Sequence, residues 1–452
     1  MSPQRLPTLS QQDKERLILE ARARRQQRVA TPPPQPADAE RGDDQIPEAS
    51  WRFDLHPAYQ QISLLRAGAA HFAIPDPYFK PHDGTAGATT RIAGQECINF
   101  ASYNYLGLCG HPEVNGAASD AIASYGTSVS ASRMVSGERP VHAALEGALA
   151  AAYEVDAAVA MVSGHATNVT VIGHLLGPRD LILHDEFIHN SSLQGALLSG
   201  ARRIPFPHND WQALDQILIE QRRRHERVLV VVEGLYSMDG DYPELPRFVE
   251  LRRKHRCWLM VDEAHSFGVL GATGLGIREQ FGLSGQDVDI WMGTLSKTLA
   301  GCGGYIAGSR VLIDNLRHLA PGFLYSVGLS PPLAAASYAA LQVMLREPVR
   351  VERLRARSAL FLNLARQAGL DTGTSAGCSV IPVLTHSSVD AVRLSAALLD
   401  EGINVQPILY PAVPENSARL RFFLSSEHSA DQIRHAVAVT ANAANTLGIA
   451  SR

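Results

Sequence analysis

The chain alternates short, almost wholly apolar runs with longer stretches of helical period, and the apolar runs stop abruptly at polar residues. VAMVSG (159–164), LILHDEFIHNSSL (181–193), RVLVVVEG (227–234), WLMVDEAHSFGVLG (258–271) and VDIWMGTLSKTLAG (288–301) each begin as a strand. Runs apolar at every position are expected of parallel strands covered on both faces, and the helical HAALEGALAAAY from His142 is one such cover. In an open α/β sheet the ligand sits beyond the carboxyl ends of the strands. Those ends carry His184, Asp185 and His189; Glu233 and Ser237; Asp262, Glu263 and His265; and Thr294, Ser296 and Lys297. The predicted class is therefore α/β, a mostly parallel sheet with helices on both faces.

The flanks differ. Residues 51–100 read as an N-terminal arm whose turns and short strands, around Thr89–Ile92 and Cys97–Phe100, suggest a small ribbon. After a large domain over 101–325, residues 326–452 read as a smaller α+β unit: one long helical stretch, the strands CSVIPVLT, INVQPILY and RLRFFLSS, and a last helix. Residues 1–50 hold a short helical pattern after Ser10 and then TPPPQPADAERGDDQIP, a charged, proline-rich linker that cannot pack a core. They are either a disordered extension with a transient helix or a docking segment.

Composition narrows the function. A formal net charge of −4 gives no electrostatic case for nucleic acid, and 45% hydrophobic residues suffice for large buried cores. Five dispersed cysteines lack metal-ligand spacing, which suits a reducing cytoplasm and no bound metal. With no apolar run of membrane-spanning length and no signal-peptide core at the N-terminus, a soluble, cytoplasmic protein is expected.

Lysine is scarce: Lys14, Lys80, Lys254 and Lys297 are the four among 41 Lys and Arg. Only Lys297 follows an apolar strand and precedes a glycine-rich run, TLAGCGGYIAG, where backbone can approach a ligand. Beside an apolar wall its ammonium is disfavoured, which turns a lysine into a Schiff-base nucleophile; a salt-bridged lysine at a strand end is the plainer alternative. Asp262 would be a buried carboxylate needing a cation, such as the protonated nitrogen of a pyridine ring, and His265 could donate to a phenolic oxygen nearby. The Asp-Glu-Ala-His string also resembles a nucleotide-hydrolysis box, but the chain has no G-x-x-x-x-G-K-[ST] loop to go with it. SGHATN sets Gly164, His165 and Ala166 at a helix N-terminus, where free amides hold phosphate, with Thr294 and Ser296 adding hydroxyls.

NFASYNYLGL, SASRMVSGERPVHAALE, SGHATN, HDEFIHNSSL, VVEGLYSMDGDYPEL, VDEAHSFGVLG, GTLSKTLAGCGGYIAGS, YSVGLSPP and PAVPENSARLRF occur in order over about residues 95–440. Together they resemble the α-oxoamine synthases, within the fold-type I pyridoxal phosphate enzymes. The resemblance implies pyridoxal 5′-phosphate on Lys297, its ring nitrogen on Asp262, His189 stacked on the ring, and Glu233, Ser237 and His265 beside it. It implies a homodimer in which Ser326 reaches the partner's cofactor phosphate, with Val327 where a threonine is common. Asn104 would meet substrate and Arg421 the amino acid's carboxylate, whereas Tyr103 replaces the first asparagine of the family's usual pair. Without the resemblance, His189 reads as a structural histidine, Ser237 as a cap, and Arg419 with Arg421 as a pair on an edge strand. The reaction implied is decarboxylative condensation of an amino acid with an acyl thioester, on coenzyme A or an acyl carrier protein. YSVGLSPP, PDPYFKPHDG and the N-terminal helix look like those of synthases serving polyketide assembly lines. A fold-type I aminotransferase, or an assembly-line interaction protein with a decayed site, are the alternatives.

Overall fold

The computed structural model describes residues 46–71 and 76–449, in two compact units divided between Ala73 and Ile74. In the first unit, single helical turns at Glu48–Ser50 and Phe53–Leu55 precede a helix, Pro57–His71. The sequence reading had turns and strands alone in this arm. Proline at the first helical position and a following run rich in Ala, Leu and Gln account for the helix. The predicted N-terminal helix and most of the linker lie outside the described residues.

Among the described residues the second unit contains fourteen strands. The arm supplies β1 (His82–Asp83), β2 (Thr89–Ile92) and β3 (Gln95–Asn99). The large sheet is built from β4 (Ala157–Met161), β5 (Leu181–Asp185), β6 (Arg202–Phe206), β7 (Val228–Glu233), β8 (Trp258–Asp262), β9 (Ile290–Thr294) and β10 (Gly304–Gly308). The C-terminal part adds β11 (Val380–Leu384), β12 (Ile403–Asn404), β13 (Gln406–Ile408) and β14 (Arg419–Phe423).

In the large sheet the order is β4-β10-β9-β8-β7-β5-β6, and only β10 runs antiparallel to its neighbours. Every residue of β4, β5, β7 and β10 is buried, as the uninterrupted apolar runs require when helices cover both faces. One core layer gathers Val230, Val232, Leu259, Val261, Trp291 and Tyr305, and the opposite layer Val159, Leu229, Val231, Met260 and Ile306. The parallel register sets Glu233 beside Asp262 and Asp262 beside Met292, so the polar ends of β7, β8 and β9 meet at one edge.

The single long helical stretch breaks at Glu347-Pro348 into Pro331–Arg346 and Val349–Gln367. The first packs on Pro112–Tyr125 and Pro140–Tyr153, the second on Ala430–Thr446. The arm's ribbon continues through β3 into β12 of the C-terminal part, joining the two ends of this unit in one sheet, β1-β2-β3-β12. The remaining sheet is β11-β14-β13. Its central strand is β14, which corrects the edge-strand reading of Arg419 and Arg421.

Candidate active site

Asp262 ends β8 with its carboxylate buried. Oδ1 accepts the Ala264 amide at 2.9 Å and Oδ2 accepts Asn168 Nδ2 at 2.9 Å. Asn168 lies one turn into the helix Gly164–Leu175 and also donates to Ser191 Oγ at 2.9 Å, which sits 2.7 Å from His189 Nδ1. His189 caps the helix Asn190–Ser199, its Nδ1 accepting the Ser191 amide at 3.2 Å, so the ring proton belongs on Nε2. A chain of Asn168 and Ser191 thus fixes carboxylate and imidazole together. Burial lowers the His189 pKa, Lys297, His165 and Arg421 adding to that and Asp262 opposing it; the ring is neutral. Neither Asn168 nor Ser191 had a role in the sequence reading, although both lie inside quoted motifs.

Lys297 follows β9 in a tight turn and borders two spaces. On one side is the cleft lined by Gly164, His189, Glu233, Asp262, His265 and Thr294. On the other is a chamber of about 360 Å³ lined by the arm's ribbon, Tyr103, Asn104 and Ser296. Nζ has no hydrogen bond or ion pair among the described residues, and burial brings its pKa down to about 8 against the pull of Asp262 and Glu233. A salt-bridged lysine is thereby replaced by a poised amine. Burial and the neighbouring Asp262 hold Glu233 well above the usual carboxylate range.

At the cleft's far end Gly164 opens a helix against the end of β9. A Cβ there would meet Thr294 Oγ1 at 2.8 Å, so only glycine allows this approach. Ser163 caps that helix by accepting the Ala166 amide at 3.3 Å. This corrects the expected set of three free amides: Gly164 and His165 remain. Thr294 Oγ1 accepts the Ser296 amide at 3.2 Å, placing both hydroxyl residues in the same turn.

His265 is buried, its Nδ1 2.7 Å from the Tyr105 hydroxyl and its ring parallel to Phe423 at 6.3 Å. Burial, then Lys297 and Arg421, push its pKa well below the imidazole value. Tyr105 lies inside the quoted motif NFASYNYLGL and has no role of its own in the sequence reading. Arg421 rests on the Phe423 ring, 4.6 Å from its centroid, and donates to the Ser237 carbonyl at 2.8 Å. It has no acidic partner among the described residues and its Nε is buried without an acceptor, whereas Arg419 is ion-paired with Asp239. The two arginines that looked alike in sequence therefore differ: one is committed and one is free.

Asn104 lines the chamber, and its Nδ2 donates to Ala86 O at 2.9 Å while its Oδ1 accepts the Cys109 amide at 3.0 Å, so both amide atoms also pin the loop. Ser237 contributes its carbonyl to Arg421 and its amide to Glu233 Oε2. Ser326 lines neither space within its own chain, its hydroxyl turned to the Val327 carbonyl. Glu263 points away from the cleft, accepting the Ser266 hydroxyl and the Ile277 amide. Behind β5, His208 bridges Asp185 and Asp241 at 2.9 and 3.1 Å.

The family model for aminotransferases of class I and II matches residues 95–439. The 8-amino-7-oxononanoate synthase of Geobacter sulfurreducens is 41% identical over 368 residues, covering 81% of this chain and 93% of its own. The serine palmitoyltransferase of Sphingomonas wittichii superposes with a TM-score of 0.84 at 28% identity, over 88% of this chain and 99% of its own. A serine palmitoyltransferase variant from S. paucimobilis, carrying a PLP–myriocin aldimine, gives 0.83 at 26% over 87% and 98%.

Proposed function

This chain belongs to the aminotransferase class I and II family and, within it, to the α-oxoamine synthases, and we propose that Lys297, Asp262, His189, His265 and Arg421 carry out its reaction. That reaction is the pyridoxal phosphate-dependent condensation of an amino acid with an acyl thioester, with loss of carbon dioxide. The observation that carries the site assignment is the juxtaposition of Asp262, a buried carboxylate with no ion-pair partner among the described residues, with the uncommitted amine of Lys297.

The cleft suits the cofactor. Glu233 Oε1 and Asn168 Oδ1 are buried on its wall without partners among the described residues, and the Gly164–Thr294 approach leaves two helix amides, beside the Ser296 hydroxyl, for a phosphate. When bound, pyridoxal phosphate supplies an electron sink for charge developing at the amino acid's Cα. Asp262 would hold the protonated ring nitrogen, and His189, fixed by Ser191, would pack against the ring. Arg421 takes the α-carboxylate through its free guanidinium edge. Lys297, released from the cofactor, removes the Cα proton; an amine near 8 is well matched to that task at neutral pH. We assign His265 the tautomer in which the Tyr105 hydroxyl donates to Nδ1, leaving Nε2–H to steady the oxygen of the attacked thioester carbonyl.

The reading extends to a homodimer in which Ser326 serves the partner's phosphate, to an acyl carrier protein as thioester donor, and to service in a polyketide assembly line with residues 1–50 as docking segment. It also places the enzyme in the cytoplasm, which five unpaired thiols support. The test supplies single amino acids with acyl-coenzyme A or acyl carrier protein thioesters and quantifies products by mass. One carbon dioxide and one free thiol per aminoketone is the expected balance. A keto acid formed without thiol release would make the enzyme an aminotransferase.

A further inference from the structure

Tyr103 occupies a position where the family resemblance leads one to expect asparagine, and the reaction as derived gives it no task. Lys297 Nζ lies over its ring, 5.5 Å from the centroid, within range of a cation–π contact. The ring is held edge-on by Phe423 at 4.8 Å and 74° and by His265 at 6.1 Å and 82°. Its hydroxyl makes no hydrogen bond among the described residues, so the part of Tyr103 that the site uses is its face.

We propose that Tyr103 is a positioning residue whose ring face receives the ammonium of Lys297 after the lysine leaves the cofactor and takes the Cα proton. The inference rests on Lys297 being the lysine that binds cofactor and carries that proton. In the transfer the Cα–H bond breaks, its electron pair stays on the substrate, and the proton forms an N–H bond at Nζ. The same proton is available to return to carbon once carbon dioxide has gone. An aromatic face suits this role because it stabilises the ammonium without accepting the proton. Asp262 and Glu233 face Nζ from β8 and β7 and favour the charge, Arg421 on β14 opposes it, and His265 and His189 are neutral. None of these holds Nζ by a hydrogen bond, which leaves the ring as its perch.

The experiment titrates the lysine in cofactor-free protein, following the rate of Schiff-base formation with pyridoxal phosphate by absorbance across pH. Wild type, Tyr103→Phe, Tyr103→Leu and Lys297→Ala are compared. Removing the face lowers the midpoint of Tyr103→Leu by about 0.4 to 1.5 pH units, equivalent to a roughly 2- to 30-fold gain in free amine below the midpoint. Tyr103→Phe keeps the wild-type midpoint. Tyr103 is 39% exposed, so the substitutions fall outside the core, and Tyr103→Met replaces the leucine variant if that one unfolds. A Leu midpoint equal to wild type overturns the proposal, and so does a Phe midpoint that moves as far as Leu. Wild-type protein behaving like Lys297→Ala would instead sink the lysine assignment and the proposal with it.

Discussion

Gly164→Ala tests whether the helix Gly164–Leu175 and the end of β9 together form the phosphate cradle. Gly164 has ordinary helical backbone, so alanine introduces no backbone strain and on helix propensity alone would gain up to about 1 kcal/mol. Its Cβ, however, falls 2.8 Å from Thr294 Oγ1 and 3.2 Å from Thr294 Cβ. Thr294 cannot simply rotate away, because Oγ1 donates to the Gly303 carbonyl at 3.0 Å and accepts the Ser296 amide at 3.2 Å. Either those bonds are lost or the helix start moves outward by a few tenths of an ångström, at an overpacking cost of about 1–3 kcal/mol. Because the displaced groups are those assigned to phosphate, the cost appears as a rise of about 5- to 150-fold in the cofactor Kd. Thr294→Ala alone loses about 1 kcal/mol of hydrogen bonding. In the double variant the Oγ1 clash is gone and only the 3.2 Å Cβ contact remains, so the two losses combine to less than their sum. Equilibrium dialysis with pyridoxal phosphate at fixed pH measures all four proteins. Unchanged binding by Gly164→Ala, or strict additivity in the cycle, would refute the cradle.

Three further outcomes follow from the same geometry. Arg421→Ala raises KM for the amino acid by about 10- to 150-fold, the worth of charge-assisted hydrogen bonds, while Arg419→Ala lowers the melting temperature and spares KM. Burial opposes charge on His208, but Asp185 and Asp241 overcome it and raise the pKa from 6.5 to about 10. The stability this confers is fully present below pH 6.5 and lost as pH rises through about 10, so urea unfolding of wild type and His208→Gln converges at alkaline pH. Burial raises Glu263 from 4.5 to about 7, so its contribution is full below pH 4.5 and fades through about 7, a slope that Glu263→Gln removes.

Much of this site was legible because strand period and strand ending are both local. Apolar runs stopping at Asp262, Glu233 and Thr294 marked the sheet edge before any pairing was known, and the parallel register then set Glu233 beside Asp262. What sequence could not supply was the direction of side chains in turns. Glu263 and Asp262 are neighbours, yet one faces the loop 266–277 and the other the cleft. Asn104 is a substrate contact by resemblance alone, and nothing local shows that Ala86 and Cys109 also engage its amide atoms. Arg419 and Arg421 share one face of β14, and only the position of Asp239, far away in sequence, separates a committed guanidinium from a free one. The helix Pro57–His71 was missed because its weak amphipathicity gives no periodic signal, although its residue preferences favour it.

The central claim is that one lysine of four, Lys297, binds the cofactor. Borohydride reduction of the pyridoxal phosphate-loaded enzyme, followed by digestion and peptide mass analysis, reads this directly. The account predicts a stable pyridoxyl adduct on Lys297 and none in Lys297→Ala. An adduct on Lys80 or on Lys254, which is ion-paired with Asp215, together with an unmodified Lys297, would contradict it.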